Sequence, residues 1–454
     1  MIEDTIAAIA TPLGEGALAV VRLSGNKALA LADKAFAPAG KSSRKPSAAE
    51  SHTIQYGHIV RNGAVIDEVL VAILRAPRTF TREDMVEITC HGGILAAKAV
   101  LDTVLAAGAR LALPGEFTRR AFLNGRIDLA QAEAVADLIY ARTELALSAA
   151  NEQLAGKLSQ RINKLRDSLL RTLAHIEAHI DFPEEDIAPD TRDHLLKAMD
   201  DGKQFIDELL RTANEGQLLR RGIRVAIVGR PNVGKSSLLN QLLGHDRAIV
   251  SPIAGTTRDT IEETANIRGI PVVFVDTAGL REARDEIEVE GIRRSHQTIA
   301  RAELILHVLD GSEPLDDEDR AYLEEFTGRK RILVVNKSDL PRDLELPALR
   351  AHVEMSCKTG DGLEALKDSI RSLVWAGEIR ADMLQVMVNS RHEDALNRGR
   401  TALIRAADEL RKNQTLEVVA MELRIAVNAI GEIVGQTTTE DLLDSIFSQF
   451  CIGK

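Results

Sequence analysis

Hydrophobic positions change their spacing along the chain, and the first pattern predicts a mixed α+β module over residues 1–118. Short β-rich runs such as Ala17–Leu23 and Val65–Leu74 alternate there with Gly, Pro and Ser positions, as strands separated by turns do. The segment Lys41–Ser51 is polar and rich in Ser, Ala and Lys. We therefore expect it to be a solvated loop.

A second pattern, of helical composition, begins near residue 120. Leu129–Ala150 contains neither Pro nor Gly and is rich in Ala, Leu and Glu, which predicts a helix through this range. The helical pattern continues over Gln153–Ile180. Phe182–Asp186 and Pro189 predict a break, after which Thr191–Gly216 is again periodic.

Short apolar runs alternating with helical segments form the third pattern. They predict a parallel sheet buried on both faces, with strands at Val225–Val228, Val272–Val275, Leu304–Leu309 and Ile332–Val335. Helical periodicity returns at His392–Arg411, Leu416–Ile433 and Glu440–Phe450. The predicted fold class is α/β plus all-α, with an α/β domain (216–378) inserted into a helical domain made of residues 119–215 and 379–454, behind the α+β domain (1–118).

Composition narrows the class of protein. The 454 residues are 45% hydrophobic and 28% charged, as in ordinary globular chains of several domains. A net charge of −11 argues against wrapping by nucleic acid but leaves a local basic patch open. Cys90, Cys357 and Cys451 have no paired spacing, and there is no signal peptide or long apolar span. We expect a cytoplasmic protein that does not enter a membrane.

A phosphate-binding loop is the strongest local motif. Residues 229–236 read GRPNVGKS between an apolar strand and a helix. The glycines let backbone N–H groups surround phosphate oxygens, and the helix N-terminus adds a positive dipole. We expect Lys235 to neutralise the β- and γ-phosphates and Ser236 to bind Mg²⁺.

Four further boxes follow in the order of a GTP-binding and GTP-hydrolysing domain. Thr257 is placed to complete the Mg²⁺ shell, and Asp276 to hold a magnesium water. Asp339 can accept hydrogen bonds from guanine N1–H and the exocyclic amine, which adenine does not offer. The predicted GTP-binding residues are Asn232, Val233, Gly234, Lys235, Ser236, Ser237, Ser251, Pro252, Ile253, Ala254, Gly255, Thr256, Thr257, Asp276, Thr277, Ala278, Gly279, Asn336, Lys337, Ser338, Asp339, Ser356, Cys357 and Lys358.

Two details of these boxes bear on the hydrolysis mechanism. Leu280 stands where Ras-like enzymes place a water-orienting Gln. A carboxylate of the acidic run between Glu282 and Glu290 could orient the water, or the run could be a solvated helix. Asn232 could help coordinate a monovalent cation beside the phosphates, or it could only stabilise the loop. The spacing leaves both alternatives open.

The chain as a whole resembles the TrmE (MnmE) type of tRNA modification GTPase. The resemblance rests on residues 4–6 and 10–12, on Val21–Gly25, Phe80-Thr81 and His91–Gly93, on Pro114–Gly125 and Leu129–Ala134, and on the ending Phe450-Cys451-Ile452-Gly453-Lys454. We read His91–Gly93 itself as a turn and not a metal site.

The resemblance implies a homodimer in which an N-terminal domain binds 5-formyltetrahydrofolate or a related one-carbon folate. The matching folate contacts are Arg22, Glu87, Arg126 and Lys454, with Arg126 at a position where Lys is usual. Cys451 matches a functional cysteine and Glu288 the carboxylate that orients the attacking water. Asn232, Ser251, Ile253 and Thr256 match a potassium site.

The resemblance also implies partners. An FAD-containing protein of the MnmG (GidA) type would work with this chain to install an aminomethyl or carboxymethylaminomethyl group. The target would be C5 of the wobble uridine in certain tRNAs. GTP hydrolysis would require K⁺ and Mg²⁺.

Other interpretations remain at this point. Arg22 and Arg126 could be surface charges, Glu87 could pair with one of them, and Cys451 could be a packed thiol. The GTP-binding boxes also fit a ribosome-assembly or RNA-checkpoint switch GTPase without chemistry on RNA, or a regulatory GTPase acting only on proteins. The N-terminal module and the Cys451 tail favour the modification enzyme.

Overall fold

The computed structural model describes residues 4–40, 44–181, 189–246, 263–275, 302–346, 351–375, 387–412 and 414–454. The chain divides into two compact units. One comprises Met1–Ala136, Leu154–Asp200 and Thr401–Lys454, and the other comprises Asp137–Gln153 and Asp201–Arg400. The predicted four-segment domain division stays a prediction.

A seven-stranded sheet is the first feature of the N-terminal unit. Its strands are β1 (Ile6–Ile9), β2 (Leu18–Ser24), β3 (Phe36–Pro38), β4 (Thr53–Arg61), β5 (Ala64–Leu74), β6 (Met85–His91) and β7 (Arg110–Leu111), in the order β3-β4-β5-β6-β2-β1-β7. All neighbours are antiparallel except β1 and β7. The strands predicted over Ala17–Leu23 and Val65–Leu74 are confirmed within one residue. The predicted loop contains one 3₁₀ turn, Pro46–Ala48.

One face of this sheet carries the core, because alternate side chains of a strand point to the same side. Helices α1 (Ala28–Ala35) and α2 (Ile94–Ala106) cover that face. Val21, Val71 and Ile88 lie under them and are fully or almost fully buried. The residues of the opposite face include Arg22 and Glu87, which are direct partners in the β2–β6 register.

Helices follow the sheet. They are α3 (Glu116–Leu123), α4 (Leu129–Tyr140), α5 (Glu144–Leu154), α6 (Lys157–Asp181), α7 (Pro189–Leu210) and α8 (Ala213–Arg221). The single helix predicted over Leu129–Ala150 is wrong, because the chain breaks between α4 and α5. There Thr143 Oγ1 accepts the N–H of Ala146 at 3.1 Å and so caps a new helix, which composition alone does not reveal.

Three more helices come from the end of the chain: α12 (Ser390–Arg411), α13 (Leu416–Val434) and α14 (Glu440–Phe447). Helix α13 packs along α6, where Arg424 forms an ion pair with Glu177 at 2.7 Å. Leu129 of α4 shares a buried cluster with Leu443 and Phe447 of α14. The prediction that the two separated helical segments share a core is confirmed.

A six-stranded, mostly parallel sheet organises the other unit. Its strands are β8 (Ile223–Val228), β9 (Glu263–Ile267), β10 (Ile270–Phe274), β11 (Leu304–Asp310), β12 (Arg331–Asn336) and β13 (His352–Glu354), in the order β13-β12-β11-β8-β10-β9. The four predicted strands are confirmed, and β9 and β10 form the antiparallel pair. Helices α9 (Lys235–Asp246) and α11 (Leu363–Val374) pack on one face. Helix α10 (Asp317–Glu325) follows β11.

The parallel strands β8, β11 and β12 all end at one edge of the sheet. Ligands bind at this edge in open α/β sheets. The loops after β8 and β12 are those that carry residues 229–236 and 336–339.

Candidate functional site

The loop between β8 and α9 has the backbone conformation that a phosphate cradle needs. Gly229 has φ 143° and Gly234 has φ 105°, a region that favours glycine. A Cβ on Gly229 would overlap the carbonyl oxygen of Val308, and one on Gly234 would overlap the side-chain amide of Asn336. The two glycines are therefore required by both conformation and space.

Lys235 holds its ammonium over this loop. Its Nζ donates hydrogen bonds to the carbonyl oxygens of Gly229 and Arg230, both at 2.7 Å. Burial lowers the pKa of Lys235. Because these acceptors are neutral, a phosphate oxygen would be a better partner for the ammonium, and the site fits an anion. Ser236 follows in the first turn of α9, the position from which the hydroxyl of a phosphate-binding loop reaches Mg²⁺.

Asn336 connects three of the predicted boxes. Its Nδ2 donates to the carbonyl oxygen of Val233 at 2.8 Å, and its Oδ1 accepts from the N–H of Cys357 at 2.9 Å. The side chain is buried. Sequence reasoning placed Asn336 in the site as a nucleotide contact but did not foresee this bridging role.

Asp339 is prepared to accept hydrogen bonds from a base. Ser356 Oγ donates to its Oδ1 at 2.6 Å, and this hydrogen bond is the main cause of a lowered pKa of Asp339. The carboxylate stays ionised, and its second oxygen, Oδ2, lies 4.0 Å from the ammonium of Lys358. Cys357 next to Ser356 has its pKa raised to about 11 by burial, so its thiol is a packing group.

The sequence did not predict that Asp310 lies beside the box Asn336-Lys337-Ser338-Asp339. Lys337, with φ 66°, forms an ion pair with Asp310 at the end of β11. Asp310 also accepts from Ser312 Oγ at 2.7 Å. The available signal was an acidic residue directly after the apolar run Leu304–Leu309.

Several predicted residues lie outside the described part of the chain. They are Ser251, Pro252, Ile253, Ala254, Gly255, Thr256 and Thr257, then Asp276, Thr277, Ala278 and Gly279, and Leu280 with the acidic run that includes Glu288.

A second cluster forms where Cys451–Lys454, which we call the tail, meets the N-terminal sheet. Gly453 has φ 96° and lies so close to Ile9 and Ala10 that a Cβ would overlap the Ile9 carbonyl oxygen. The tail carbonyl oxygens accept three hydrogen bonds: Gly115 N–H to Cys451 at 3.4 Å, Phe117 N–H to Lys454 at 3.1 Å, and Arg22 Nη1 to Gly453 at 3.3 Å.

The tail brings three of the four folate candidates together. Arg22 Nε donates to Glu87 Oε1 at 2.8 Å, so the pairing of Glu87 with one of the arginines is present. Burial lowers the pKa of Lys454, and the positive charge of Arg22 lowers it further. Cys451 is exposed, which contradicts the interpretation of a packed thiol.

Arg126 lies on an aromatic ring beside this cluster. Its guanidinium carbon is 4.8 Å from the centroid of the Phe80 ring, and its Nη1 donates to the Phe80 carbonyl oxygen at 3.1 Å. Arg22 lies over Phe117 at 5.7 Å. Phe80 and Phe117 pack in one small apolar cluster, in which Phe117 is fully buried and Phe80 is partly exposed.

The described residues contain neither a metal-binding cluster nor a membrane-spanning helix. No group of three or more His, Cys, Asp and Glu side chains converges there as a metal site. No helix in the described ranges has the length and apolar character to cross a bilayer.

The parallel sheet and the phosphate loop at the ends of its strands are those of a P-loop GTPase, an enzyme that hydrolyses GTP. Two family models match the chain: the MnmE helical domain over residues 129–451 and the N-terminus of the GTP-binding protein TrmE over residues 5–126. The chain belongs to the MnmE (TrmE) family of tRNA modification GTPases.

Two relatives of similar length agree with this assignment. The tRNA modification GTPase MnmE of Geobacillus kaustophilus is 49% identical over 99% of both chains. The protein of the same name from Geobacillus thermodenitrificans is 48% identical over 99% of both. Among solved structures, the G domain of the T. maritima FeoB iron transporter is 27% identical over 33% of this chain and 98% of its own, with a TM-score of 0.24.

Proposed function

We propose that this GTPase acts in the cytoplasm with an FAD-containing partner to modify C5 of the wobble uridine in certain tRNAs. The modification is an aminomethyl or carboxymethylaminomethyl group, and the one-carbon donor is 5-formyltetrahydrofolate or a related folate. The observation that carries the proposal is the docking of the tail against Arg22 and Glu87, because it joins a thiol, two cations and a carboxylate in one place. A switch GTPase without chemistry has no evident use for that arrangement.

The residues around the tail suit a folate. The 2-amino-4-oxo edge of a pterin offers adjacent N–H donors, and Glu87 is a carboxylate that can accept them. Arg22, Arg126 and Lys454 supply positive charge for an anionic ligand. Phe80, which is partly exposed, adds an apolar surface beside Arg126.

GTP hydrolysis on this chain is proposed to require Mg²⁺ and K⁺. Ser236 with Thr257 would hold Mg²⁺ beside the phosphates. Asn232, Ser251, Ile253 and Thr256 would hold K⁺, whose charge neutralises the phosphates, and Glu288 would orient the attacking water. Among the described members, Asn232 is exposed in the phosphate loop with φ 64°. This position leaves its side-chain oxygen accessible to a cation.

A homodimer is proposed through the open face of the N-terminal sheet. Leu18, Ile54, Tyr56 and Leu70 point to that face and are 65%, 70%, 49% and 46% exposed. Tyr56 and Leu70 are direct cross-strand partners, so the apolar side chains are contiguous. Exposed apolar surface of this kind marks protein interfaces.

Mass spectrometry of tRNA nucleosides tests the proposed modification. Cells lacking the protein should lose the C5 modification of wobble uridines, and the wild-type chain should restore it. Restoration should also require the FAD-containing partner. Unchanged wobble uridines in the deletion strain would contradict the proposal and favour a switch without chemistry on RNA.

The cation requirement is tested by steady-state GTPase assays in matched potassium and sodium salts. Wild-type protein should be faster in potassium, and Asn232→Ala should remove most of that difference. Asn240→Ala is a matched control, since Asn240 is an exposed amide in α9. Equal wild-type rates in both salts would exclude the cation role.

A further inference from the structure

Two neighbouring guanidinium groups in the N-terminal unit have no carboxylate partner. Arg82 Nη1 donates to the carbonyl oxygen of Asn124 at 3.0 Å, and Arg126 Nη1 donates to that of Phe80 at 3.1 Å. Within the described ranges, neither arginine forms an ion pair. Burial lowers the pKa of Arg126, and the positive charge of Arg82 lowers it further. Two like charges therefore lie close enough to repel each other.

The nearest carboxylates along the chain are used elsewhere. Glu83, next to Arg82, accepts from Ser24 Oγ at 2.7 Å and pairs with Arg120 at 3.2 Å. Asp84 accepts the N–H of Ala76 at 2.9 Å. Asp128 accepts the N–H of Gln131 at 2.9 Å. The positive charge of the arginine pair is thus left for another anion.

Three other arginines in this unit, Arg110, Arg119 and Arg120, are paired with acids, whereas the guanidinium of Arg75 donates, in the part of the chain that the structure describes, only to the carbonyl oxygens of Ser47 and Ala49. Arg110 contacts Glu116 at 2.6 Å, Arg119 contacts Glu440 at 2.6 Å, and Arg120 contacts Glu116 at 3.0 Å. Arg82 and Arg126 thus differ from these three arginines in having only carbonyl oxygens as acceptors among the described residues. Arg82 is also held at φ 60°, a conformation that is uncommon for a residue with a side chain. Such strain is often kept at binding sites.

We propose that Arg82 and Arg126 together form an oxyanion site that binds the glutamate carboxylates of the folate. The inference rests on the proposed function and adds Arg82 to the binding residues. Guanidinium groups bind carboxylates through paired, charge-assisted hydrogen bonds, and two of them can serve the two carboxylates of one glutamate. The bound anion would also remove the repulsion between the arginines.

The surroundings favour a folate over an RNA phosphate. Phe80, under Arg126, packs in one cluster with Phe117, under Arg22. The Phe80–Arg82 segment is fastened to the strand that carries Arg22, because Thr81 Oγ1 is 2.6 Å from Ser24 Oγ. A ligand that placed its ring at Glu87 could therefore extend past the partly exposed Phe80 and end at the arginine pair. The carboxylate of Glu87 would instead repel a phosphate chain.

The test is isothermal titration of the full chain with two ligands that differ only at the glutamate. One is 5-formyltetrahydrofolate and the other is its diamide, in which both carboxylates are neutral. Wild-type protein should bind the acid at least about tenfold more tightly than the diamide. Arg82→Gln should abolish most of this preference while leaving the affinity for the diamide unchanged. Arg82→Lys should retain part of the preference, since it keeps the charge but not the paired geometry.

Arg119→Gln is the matched control, because it removes a guanidinium that already has carboxylate partners. It should keep the full preference for the acid. If Arg82→Gln also keeps it, or weakens both ligands equally, the inference is wrong. If Arg82→Gln binds both ligands like wild type but loses tRNA affinity, the site binds RNA phosphate instead. If wild-type protein binds neither ligand, the folate proposal itself fails, which is a distinguishable result.

Discussion

Replacing Gly453 by Ala should detach the tail from the N-terminal sheet. A side chain at this left-handed backbone position, φ 96°, costs roughly 1–2 kcal/mol. The new Cβ would also overlap the Ile9 carbonyl oxygen and lie 3.0 Å from Ala10 Cα, and backbone atoms cannot move away easily. The three hydrogen bonds that hold the tail contribute roughly 2–4 kcal/mol in total. Strain and overlap together therefore remove most or all of the docking energy.

The expected result is a loss of folate affinity of about tenfold or more, since Lys454 would leave Arg22 and Glu87. The rate of GTP hydrolysis should not change. Isothermal titration measures the first and a phosphate-release assay the second. Gly63→Ala is the matched control: Gly63 has φ 81° in the β4–β5 turn, but a Cβ there meets nothing within 4 Å. Wild-type folate affinity in Gly453→Ala would refute the assignment of Lys454 to the folate site.

Three other substitutions test the two clusters. Asp339→Asn should weaken GTP binding at least about tenfold. It should strengthen the binding of xanthosine triphosphate, because the 2-oxo group of xanthine accepts a hydrogen bond from the Asn amide. Competition with a fluorescent nucleotide measures both affinities. Burial lowers the pKa of Lys454 from its ordinary value of 10.5, so the ammonium form, and folate affinity with it, should be lost as the pH rises toward 10.5. Lys454→Arg keeps its charge and should show no such loss in titrations up to pH 10.5. Cys451→Ser should keep GTP hydrolysis and abolish modification in the tRNA nucleoside assay; normal modification would exclude a functional thiol.

The GTPase fold was predictable from sequence because each of its parts has a local cause. Val225–Val228 and Ile332–Val335 are apolar on every position, as strands covered on both faces must be. Gly229 and Gly234 adopt backbone angles that other residues avoid. These requirements act within a few residues, so the sequence pattern exposes them directly.

Contacts between distant parts of the chain were not predictable in the same way. The break at Thr143 depends on one side-chain hydrogen bond in a stretch whose composition favours continuous helix. The segment Asp137–Gln153 looks like its helical neighbours, yet it belongs to the unit with the nucleotide site. There Arg142 Nη1 donates to Thr264 Oγ1 at 2.6 Å. No spacing rule connects residues so far apart.

Arg82 is a second example of a residue whose partners could not be predicted from the sequence. In sequence, Arg82 stands beside Glu83 and looks like half of a surface ion pair. In the fold, Glu83 turns to Arg120 and Ser24, and Arg82 is left beside Arg126. Whether an arginine can bind a ligand depends on which carboxylates the fold has already used, and that is a property of tertiary structure.

The positions of the two clusters constrain how GTP hydrolysis can affect the proposed chemistry. Lys235 and Asp339 belong to one compact unit, whereas Arg22, Glu87 and the tail belong to the other. None of the described residues contributes to both clusters. Neither cluster therefore supplies a described residue to the other. It follows that lesions in the tail should leave basal GTP hydrolysis intact, and lesions in the phosphate loop should leave folate affinity intact. Only the modification of tRNA should need both.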